Sequence, residues 1–130
     1  MKKFLPLLMW MVLGILSCDK YDLPADLTLK MNDDITVDGL RIRFSDIEES
    51  RCAEGVTCVW AGEAKVFLKL NLQDNVILKS PGLCEGPEAC RDTATYKHYR
   101  IILHDVNPYP KINVEIKKED YRIKLSVERN

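Results

Sequence analysis

One stretch near the middle of the chain, residues 57–72, constrains the fold more than any other. From position 58 onward every second residue is apolar or small, and the positions between them from 63 onward are mostly polar or charged. The apolar or small row comprises Cys58, Trp60, Gly62, Ala64, Val66, Leu68, Leu70 and Leu72. A period of two is typical of a β-strand with one face in the core and one in water. The pattern therefore predicts a long central strand whose inward row begins at Cys58 and includes Trp60.

Shorter alternating segments of strand length occur on both sides of this stretch. They are Leu27–Met31, Ile35–Val37, Leu40–Phe44, Val76–Leu78, Tyr96–Val106, Ile112–Ile116 and Tyr121–Val127. Asp38-Gly39 and Asp74-Asn75 are predicted to form hairpin turns, and Asn107-Pro108-Tyr109-Pro110 interrupts a strand. No stretch keeps helical spacing for three turns. The sequence predicts a single small all-β domain, an antiparallel sandwich or barrel of about seven or eight strands braced by disulfides.

The first residues have the features of an export signal. Met1-Lys2-Lys3 is basic, residues 4–16 carry no charge, and Ser17-Cys18 follows. An apolar run this short indicates a signal peptide rather than a membrane-spanning helix. Ile15-Leu16-Ser17-Cys18 resembles the lipobox of bacterial lipoproteins, although Leu16 stands where a small residue is commoner. That resemblance implies cleavage before Cys18, a thioether-linked diacylglycerol on its sulfur, and acylation of the new amino terminus by a fatty acid such as palmitate.

The domain boundaries follow from this cleavage site. Residues 1–17 are the predicted lipoprotein signal peptide, residues 18–26 a polar tether, and residues 27–130 the all-β domain. Several acyl chains are enough for stable membrane anchoring, so we expect a monomeric domain held in the bacterial cell envelope by its lipid, on the periplasmic side or at the cell surface. The chain has 19 basic and 20 acidic side chains, and the signal removes two of the basic ones. A slightly acidic domain gives no indication of nucleic-acid binding.

Four further cysteines are predicted to form disulfides, because export favours oxidation. Three connectivities are possible. The pairs Cys52–Cys58 and Cys84–Cys90 are favoured because each interval has five residues and contains a glycine that can reverse the chain. Structural zinc sites space their paired ligands more closely and redox pairs use Cys-x-x-Cys, so neither a metal nor a cofactor is expected. Trp60 is predicted to pack on the Cys52–Cys58 disulfide rather than to stack on a sugar.

A longer motif surrounds the first pair of cysteines. Arg51-Cys52-Ala53 and Val56-Thr57-Cys58-Val59-Trp60-Ala61-Gly62 precede the alternating strand. This pattern resembles a family of small, uncharacterised bacterial lipoproteins with an Arg-Cys-Pro…Val-x-Cys-x-Trp-Ala-Gly motif, with Ala53 in place of the proline. Residues 107–110 and the strand at Tyr121 are similar too. The resemblance implies an all-β lipoprotein fold and implies no activity.

The polar residues do not form a recognisable catalytic pattern. Six residues along a strand would separate His98 from His104 by about 20 Å, so both are expected to be surface histidines. Nothing in the sequence pairs the carboxylates of Glu63, Glu85 and Glu88, and the serines at 45, 50 and 80 lack the context of a nucleophile elbow. Asp33, Asp34 and Asp38 surround a turn with a spacing unlike that of a calcium loop. The sequence therefore gives no reason to expect an enzyme.

Two functions remain, and both depend on exposed loops. The first is a non-catalytic module that binds an envelope protein or glycan, or serves a structural role. The second is an inhibitor of a hydrolase, such as a protease or lysozyme, that presents a disulfide-braced loop whose prior ordering lowers the cost of binding. The candidate binding residues lie inside the two predicted disulfide loops: Ala53, Glu54, Gly55, Val56, Thr57, Glu85, Gly86, Pro87 and Glu88. The sequence does not separate the two functions.

Overall fold

The computed structural model describes residues 23–59, 62–80 and 91–130, and this part of the chain forms eight β-strands and one short 3₁₀ helix. The strands are β1 (Ala25–Lys30), β2 (Asp34–Val37), β3 (Leu40–Glu49), β4 (Ala64–Leu70), β5 (Asp74–Lys79), β6 (Thr93–Tyr96), β7 (Tyr99–Asn107) and β8 (Arg122–Arg129), with the 3₁₀ helix at Lys118–Asp120. The predicted signal peptide, Cys18, Trp60 and the predicted Cys84–Cys90 disulfide all lie outside the described residues. Among the described residues, no helix is long and apolar enough to cross a membrane.

The strands form two antiparallel sheets of four, as the sequence predicts. One sheet has the order β1-β8-β7-β6 and the other the order β2-β3-β4-β5. Consecutive strands are therefore neighbours within each sheet, and the last strand pairs with the first over the full length of β1. The result is an up-and-down sandwich in which each strand runs opposite to the one before it. Because β1 begins at Ala25, the last two residues of the predicted tether belong to the sheet.

The core lies between the two sheets and is built from the inward rows of the strands. Ala64, Val66, Leu68 and Leu70 of β4 are completely buried, which confirms the parity predicted for the central strand. Phe44 lies beside them in the same sheet, Ile101 and Leu125 lie on the inward rows of the other sheet, and all three have at most 1% of their surface exposed. Removing each such side chain from water contributes on the order of 1.5–3 kcal/mol.

The central strand is shorter than its sequence pattern. It begins at Ala64, so Cys58 lies in a loop and is exposed instead of opening the inward row. At its other end the turn occupies residues 71–73, where Asn71 and Leu72 have φ angles of +48° and +62°, and not Asp74-Asn75, which are the first residues of β5. Asn tolerates this left-handed conformation well. Leu72 is consequently carried out of the inward row and is 45% exposed.

The hairpin predicted at Asp38-Gly39 is present, whereas the single strand predicted from Tyr96 to Val106 is not. Asp38-Gly39 connects β2 and β3 with both φ angles positive, +47° and +82°, as a tight hairpin requires. The predicted strand Tyr96–Val106 is instead divided, because Tyr96 ends β6, the chain reverses at Lys97, whose φ is +54°, and β7 begins at Tyr99. Lysine is an uncommon residue for a left-handed turn, so composition did not indicate the reversal.

Matching bulges in β3 and β7 explain a further departure from simple alternation. The register shifts between Phe44 and Asp46 in β3, and between Leu103 and Asp105 in β7. At each bulge the aspartate carboxylate accepts a hydrogen bond from the next backbone N–H, at 2.8 Å for Asp46 and 2.9 Å for Asp105. Each bulge moves the following residue onto the inward face. Val106 is therefore buried, although in a regular strand it would share a face with exposed His104.

The predicted strand Ile112–Ile116 does not form. The chain turns there, with the N–H of Val114 donating to the carbonyl of Lys111 at 3.2 Å and Asn113 at a φ of +58°. A residue in the left-handed region breaks the extended run that the alternation indicated. Ile112 and Val114 consequently face the solvent, 55% and 56% exposed.

Candidate functional site

The two ends of the sandwich differ in what they carry. Because the strands alternate in direction, the short reversals at residues 38–39, 71–73 and 97–98 share one end with Leu23 and with the C-terminal Asn130. We call this the proximal end. The longer connections 50–63 and 108–121 lie at the opposite, distal end, and the chain between β5 and β6 leaves and returns there, with Lys79 and Arg91 hydrogen-bonded at 2.8 Å. The distal end therefore has the long loops, and the proximal end has the start of β1.

A disulfide divides the first distal connection. Cys52 and Cys58 are bonded, as predicted, with their Cα atoms 6.0 Å apart. The chain reverses between them at Gly55, whose φ is +84°, and the N–H of Val56 donates to the carbonyl of Ala53 at 3.3 Å. A loop this short removes about 2 kcal/mol of unfolded-chain entropy in the loop-closure model. The residues predicted to be exposed in this loop are so, from Glu54 to Thr57, with Ala53 partly covered.

The second distal connection packs directly against the disulfide loop. The N–H of Glu54 donates to the carbonyl of Pro110 at 2.9 Å, and Glu54 forms an isolated parallel bridge with Lys111. A Cβ atom on Gly55 would come within 3.9 Å of Cγ2 of Ile112, which shows how closely the two segments approach. The segments 52–59 and 108–114 therefore adjoin one another at residues 54–55 and 110–112, and together they make one surface at the distal end.

Arg51 connects this surface to the sandwich. Its guanidinium donates to both oxygens of the Glu49 carboxylate, to the carbonyl of Val106 at 2.9 Å and to that of Pro108 at 3.1 Å. It also lies over the ring of Tyr109, 4.7 Å from the ring centre, and only 9% of its side chain is exposed. One planar group thus satisfies a carboxylate and two carbonyls from the end of β7, a geometry that lysine cannot reproduce.

Tyr121 lies close to the Glu49 carboxylate. Burial raises the pKa of the Tyr121 hydroxyl, and the negative charge of the nearby Glu49 raises it further. The tyrosine is 4% exposed and precedes β8. The carboxylate therefore accepts hydrogen bonds from both the backbone N–H and the guanidinium of Arg51, beside the start of the last strand, at the base of the distal surface.

The exposed apolar side chains are concentrated on this surface. In the described part of the chain seven large apolar residues are exposed, and five of them lie on the two packed segments. We call these five the distal apolar surface: Val56, Val59, Tyr109, Ile112 and Val114. Val59 stands out, because 95% of its side chain is exposed. Clustered apolar exposure beside ordered backbone marks an interaction site more often than scattered exposure does.

Sequence reasoning located only part of this site. It predicted Val56 and the braced loop, but missed Val59, Tyr109, Ile112, Val114 and Arg51. Val59 did have the outward parity of the predicted strand, which was an available signal. Ile112 and Val114 were hidden by an alternation that indicated a strand, and nothing local indicated the contacts that Arg51 makes some 55 residues away. The candidate loop Glu85–Glu88 lies outside the described residues.

The candidate catalytic residues are dispersed and occupied in structural contacts. Ser45 and Ser50 donate to the carbonyls of Phe67 and Glu63, and the Ser80 hydroxyl accepts from the N–H of Ala64. Glu63 pairs with Lys79 at 2.9 Å. His98 and His104 are both exposed, as predicted. Each serine hydroxyl therefore forms a hydrogen bond that connects neighbouring strands or loops, which is a structural role.

A histidine on β7 also contacts a serine on the neighbouring strand β8. His104 on β7 lies 2.7 Å from the hydroxyl of Ser126 on β8, which is only 6% exposed. Asp26 on β1 lies opposite Ser126 in the strand register. Because β8 lies between β1 and β7, Asp26 and His104 are on opposite sides of Ser126. A catalytic triad requires the histidine between the serine and the carboxylate. The serine lies in the middle here, so the three residues do not form such a relay.

Two of the three turn aspartates pair with arginines, and the three are not grouped as a cation site. Asp34 accepts from Nε of Arg41 at 2.8 Å, and Asp38 accepts from Nε of Arg129 at 3.0 Å, while Asp33 caps the N–H of Lys30. Among residues 23–59, 62–80 and 91–130, no three histidine, cysteine or acidic side chains are grouped as metal ligands. An open depression of about 570 Å³ beside Asp38 is lined by Leu23, Pro24, Asp38, Glu128 and Arg129, at the proximal end.

Two of the surface ion pairs predict how stability responds to acid. The hydrogen bond from Arg41 lowers the pKa of Asp34, and that from Lys118, together with the N–H of Ile47, lowers the pKa of Asp46. A carboxylate whose pKa is lower in the folded state stabilises the fold above its unfolded pKa of about 4, and this contribution is lost as the pH falls through the folded value.

We therefore expect the double variant Asp34→Asn/Asp46→Asn to unfold more easily than the wild type at pH 7, by no more than about 1 kcal/mol because both pairs are exposed to solvent. The difference should shrink as the pH falls below about 4 and through the folded pKa values, because the wild-type carboxylates then become protonated too. Urea titrations at pH 7 and at a series of lower pH values measure this. Asp26→Asn, at an exposed position of β1, is the control substitution. A difference that persists or grows in acid would contradict the assignment.

Comparison with protein-family models, with curated proteins and with solved structures finds no match to this chain.

Proposed function

We propose that this protein is a lipid-anchored, non-catalytic binding module of the bacterial cell envelope, and that it binds its partner through the distal apolar surface. The observation that carries the proposal is the concentration of exposed apolar side chains on two segments that are fixed in place. Leaving these side chains in water stabilises nothing in the isolated domain, whereas covering them contributes about 25 cal/mol per Å². The distal apolar surface is thus suited to binding a partner that covers it.

Rigidity of the two segments supports the same proposal. The disulfide closes one segment, and Arg51 and the Glu54–Pro110 hydrogen bond attach the other to it. Four of the five apolar residues are also β-branched, so their side chains have few rotamers to lose. A surface that is already ordered loses little entropy when a partner binds. The partner is proposed to be an envelope protein or glycan.

The anchoring part of the proposal rests on the sequence of the first 18 residues. The basic start, the short apolar run and Cys18 together favour lipidation. The first strand, β1, begins at the proximal end of the sandwich. A lipid on Cys18 would attach the domain by the end opposite to the distal apolar surface. Residues 18–24 can span at most about 25 Å, roughly the 23 Å length of an eight-residue strand such as β8. The surface would therefore face away from the anchoring membrane.

Mass spectrometry of the full chain extracted from membranes tests the anchor. We expect an amino terminus at Cys18 that carries three acyl chains, and we expect Cys18→Ala to remain an uncleaved precursor. A soluble mature chain that begins at another residue would remove the anchor from the proposal.

Site-specific photo-crosslinking in intact cells tests the surface. A photoreactive residue at Ile112 should give a discrete adduct under ultraviolet light, and Val56→Asp in the same chain should abolish it. The matched control is the same photoreactive residue at Lys97, which is exposed on the proximal end. Adducts of equal yield at both positions, or none at Ile112, would overturn the proposed binding surface.

A further inference from the structure

Two basic side chains face each other on the outer surface of the sheet β2-β3-β4-β5. Arg43 on β3 lies directly opposite Lys69 on β4 in the strand register, and both residues are partly buried. Residues in this relation have Cβ atoms about 4.5–5.5 Å apart, and like charges there destabilise a sheet. The strand register therefore imposes a repulsive pair of cations on this face.

The carboxylate nearest to this pair in the register is already bound elsewhere. Asp34 on β2 lies opposite Arg43, but it accepts hydrogen bonds at 2.8, 3.0 and 2.6 Å from the guanidinium of Arg41. In the part of the chain that the structure describes, no acidic side chain forms an ion pair with Arg43 or Lys69. Three cationic groups and one carboxylate leave this cluster with a net charge of +2.

An apolar pair lies next to the two cations on the same face. Phe67 on β4 and Ile77 on β5 are directly opposite each other, and Ile77 is 49% exposed. Each lies two residues from the neighbouring pair Lys69 and Asn75, a displacement of about 7 Å along the strands. The face therefore combines a doubly charged centre, a side-chain amide and an apolar platform on one side of them.

We propose that this face binds a soluble phosphomonoester with an apolar ester group, and that the phosphate lies between Arg43 and Lys69. A phosphomonoester carries a charge of about −1.5 to −2 at pH 7, which offsets the local charge of +2, whereas a carboxylate offsets only half of it. Arginine donates to phosphate in a forked geometry, and lysine attracts it as a point charge. The ester group lies on Phe67 and Ile77. This site is separate from the distal apolar surface.

The direction from the cations to the apolar pair favours a soluble ligand over a membrane lipid. Because β4 runs from the distal connection 50–63 to the proximal reversal at 71–73, Phe67 lies on the distal side of Lys69. A membrane attached through Cys18, as proposed above, would approach from the proximal end. The acyl chains of a lipid whose phosphate binds Lys69 would then point away from Phe67.

Isothermal titration calorimetry of the full chain, purified in mild detergent, with phenyl phosphate tests the proposal. At about pH 8, where the ester is a dianion, we expect a dissociation constant at or below about 1 mM. Lys69→Gln and Arg43→Gln should each weaken binding by at least about tenfold, because each removes a charge-assisted contact. The matched control is Lys124→Gln, at an exposed position of β8 in the other sheet, which should bind like the wild type.

Two changes of ligand separate the charge from the apolar contact. Phenylacetate has the same ring with a single charge, and it should bind at least about tenfold more weakly than phenyl phosphate. Inorganic phosphate has the charge without the ring, so it should also bind more weakly to the wild type. Ile77→Ser should remove this advantage of phenyl phosphate over inorganic phosphate.

Three outcomes would overturn the proposal. The first is no binding of phenyl phosphate up to about 10 mM, including the case in which only phosphatidic acid in the detergent micelle binds, which would assign the cations to a membrane headgroup. The second is equal binding of phenylacetate, and the third is an equal loss in Lys124→Gln and Lys69→Gln. Thermal melts check the folding of each variant. Without ligand, Lys69→Gln should melt no lower than the wild type, because it removes the repulsion; a lower melting temperature would contradict the repulsive pair.

Discussion

Replacing Gly62 by alanine is expected to destabilise the fold by about 3 kcal/mol or more, as severe overpacking does. The physical reason is the closeness of the backbone at the entry to β4. A Cβ atom on Gly62 would lie 1.5 Å from the carbonyl oxygen of Ser50 and 2.3 Å from its carbonyl carbon. Because both are backbone atoms, no side-chain rotation relieves the overlap. One of the two chains has to move.

The movement would break the contacts that close the base of the distal loop. Ser50 and Glu63 exchange backbone and hydroxyl hydrogen bonds next to Gly62, so their amides should exchange with solvent faster in the variant. Urea unfolding gives the change in stability, and hydrogen exchange locates it.

Gly39→Ala is the matched control for Gly62→Ala. Gly39 has a φ of +82° but nothing within 4 Å of the position of a Cβ, so its substitution costs only conformational strain, about 1–2 kcal/mol. The comparison separates overlap from strain. If Gly62→Ala costs no more than Gly39→Ala, the close approach of the two chains at Ser50 is wrong.

The parts of the fold that followed from the sequence were those fixed by local chemistry. The alternation in β4 predicted its buried row, Asp38-Gly39 predicted its own hairpin, and the spacing of Cys52 and Cys58 predicted their disulfide, all of which the structure contains. In each case neighbouring residues determine the conformation, through side-chain parity, tolerance of positive φ or short loop closure.

The errors arose where a single residue breaks a regular pattern. The bulge at Asp105 buries Val106, and the left-handed Asn113 turns an alternating segment into an exposed loop. The reversal at Leu72, ahead of the more turn-like Asp74-Asn75, depends on where β5 can pair with β4. These features are set by pairing and packing across the sandwich. A one-dimensional pattern therefore does not contain them.

The candidate site was hidden for a related reason. The distal surface combines two segments about 50 residues apart, and its apolar residues have the same sequence signature as core residues. Only their position in the fold shows that they face the solvent. Arg51 is the clearest case, because its partners Val106 and Pro108 are 55 and 57 residues further along the chain.

Arg51→Met is expected to cost about 2–4 kcal/mol, somewhat less than breaking a fully buried ion pair, because Glu49 keeps some contact with water. Methionine preserves much of the apolar stem but removes the guanidinium that donates to the Glu49 carboxylate and to the carbonyls of Val106 and Pro108, and leaves the carboxylate only the backbone N–H of residue 51. Arg41→Met is the matched control. Its guanidinium also binds a carboxylate in a forked geometry, but it is 47% exposed, so its loss should destabilise the fold much less than the loss of Arg51 does.

The larger cost of Arg51→Met has two distinguishable sources, an unpaired carboxylate and a released segment. Adding Glu49→Gln to Arg51→Met should recover part of the stability, by about 0.5–3 kcal/mol relative to the sum of the single variants, because the uncompensated charge is gone. The attachment of the segment 108–114 to the sandwich should not recover, because the Arg51 guanidinium is still missing. Glu54, whose N–H donates to Pro110, should therefore exchange faster in the single and in the double variant, and the Ile112 adduct should weaken in both. Full recovery of protection at Glu54 in the double variant would show that Arg51 serves only to neutralise Glu49 and does not hold the distal surface together.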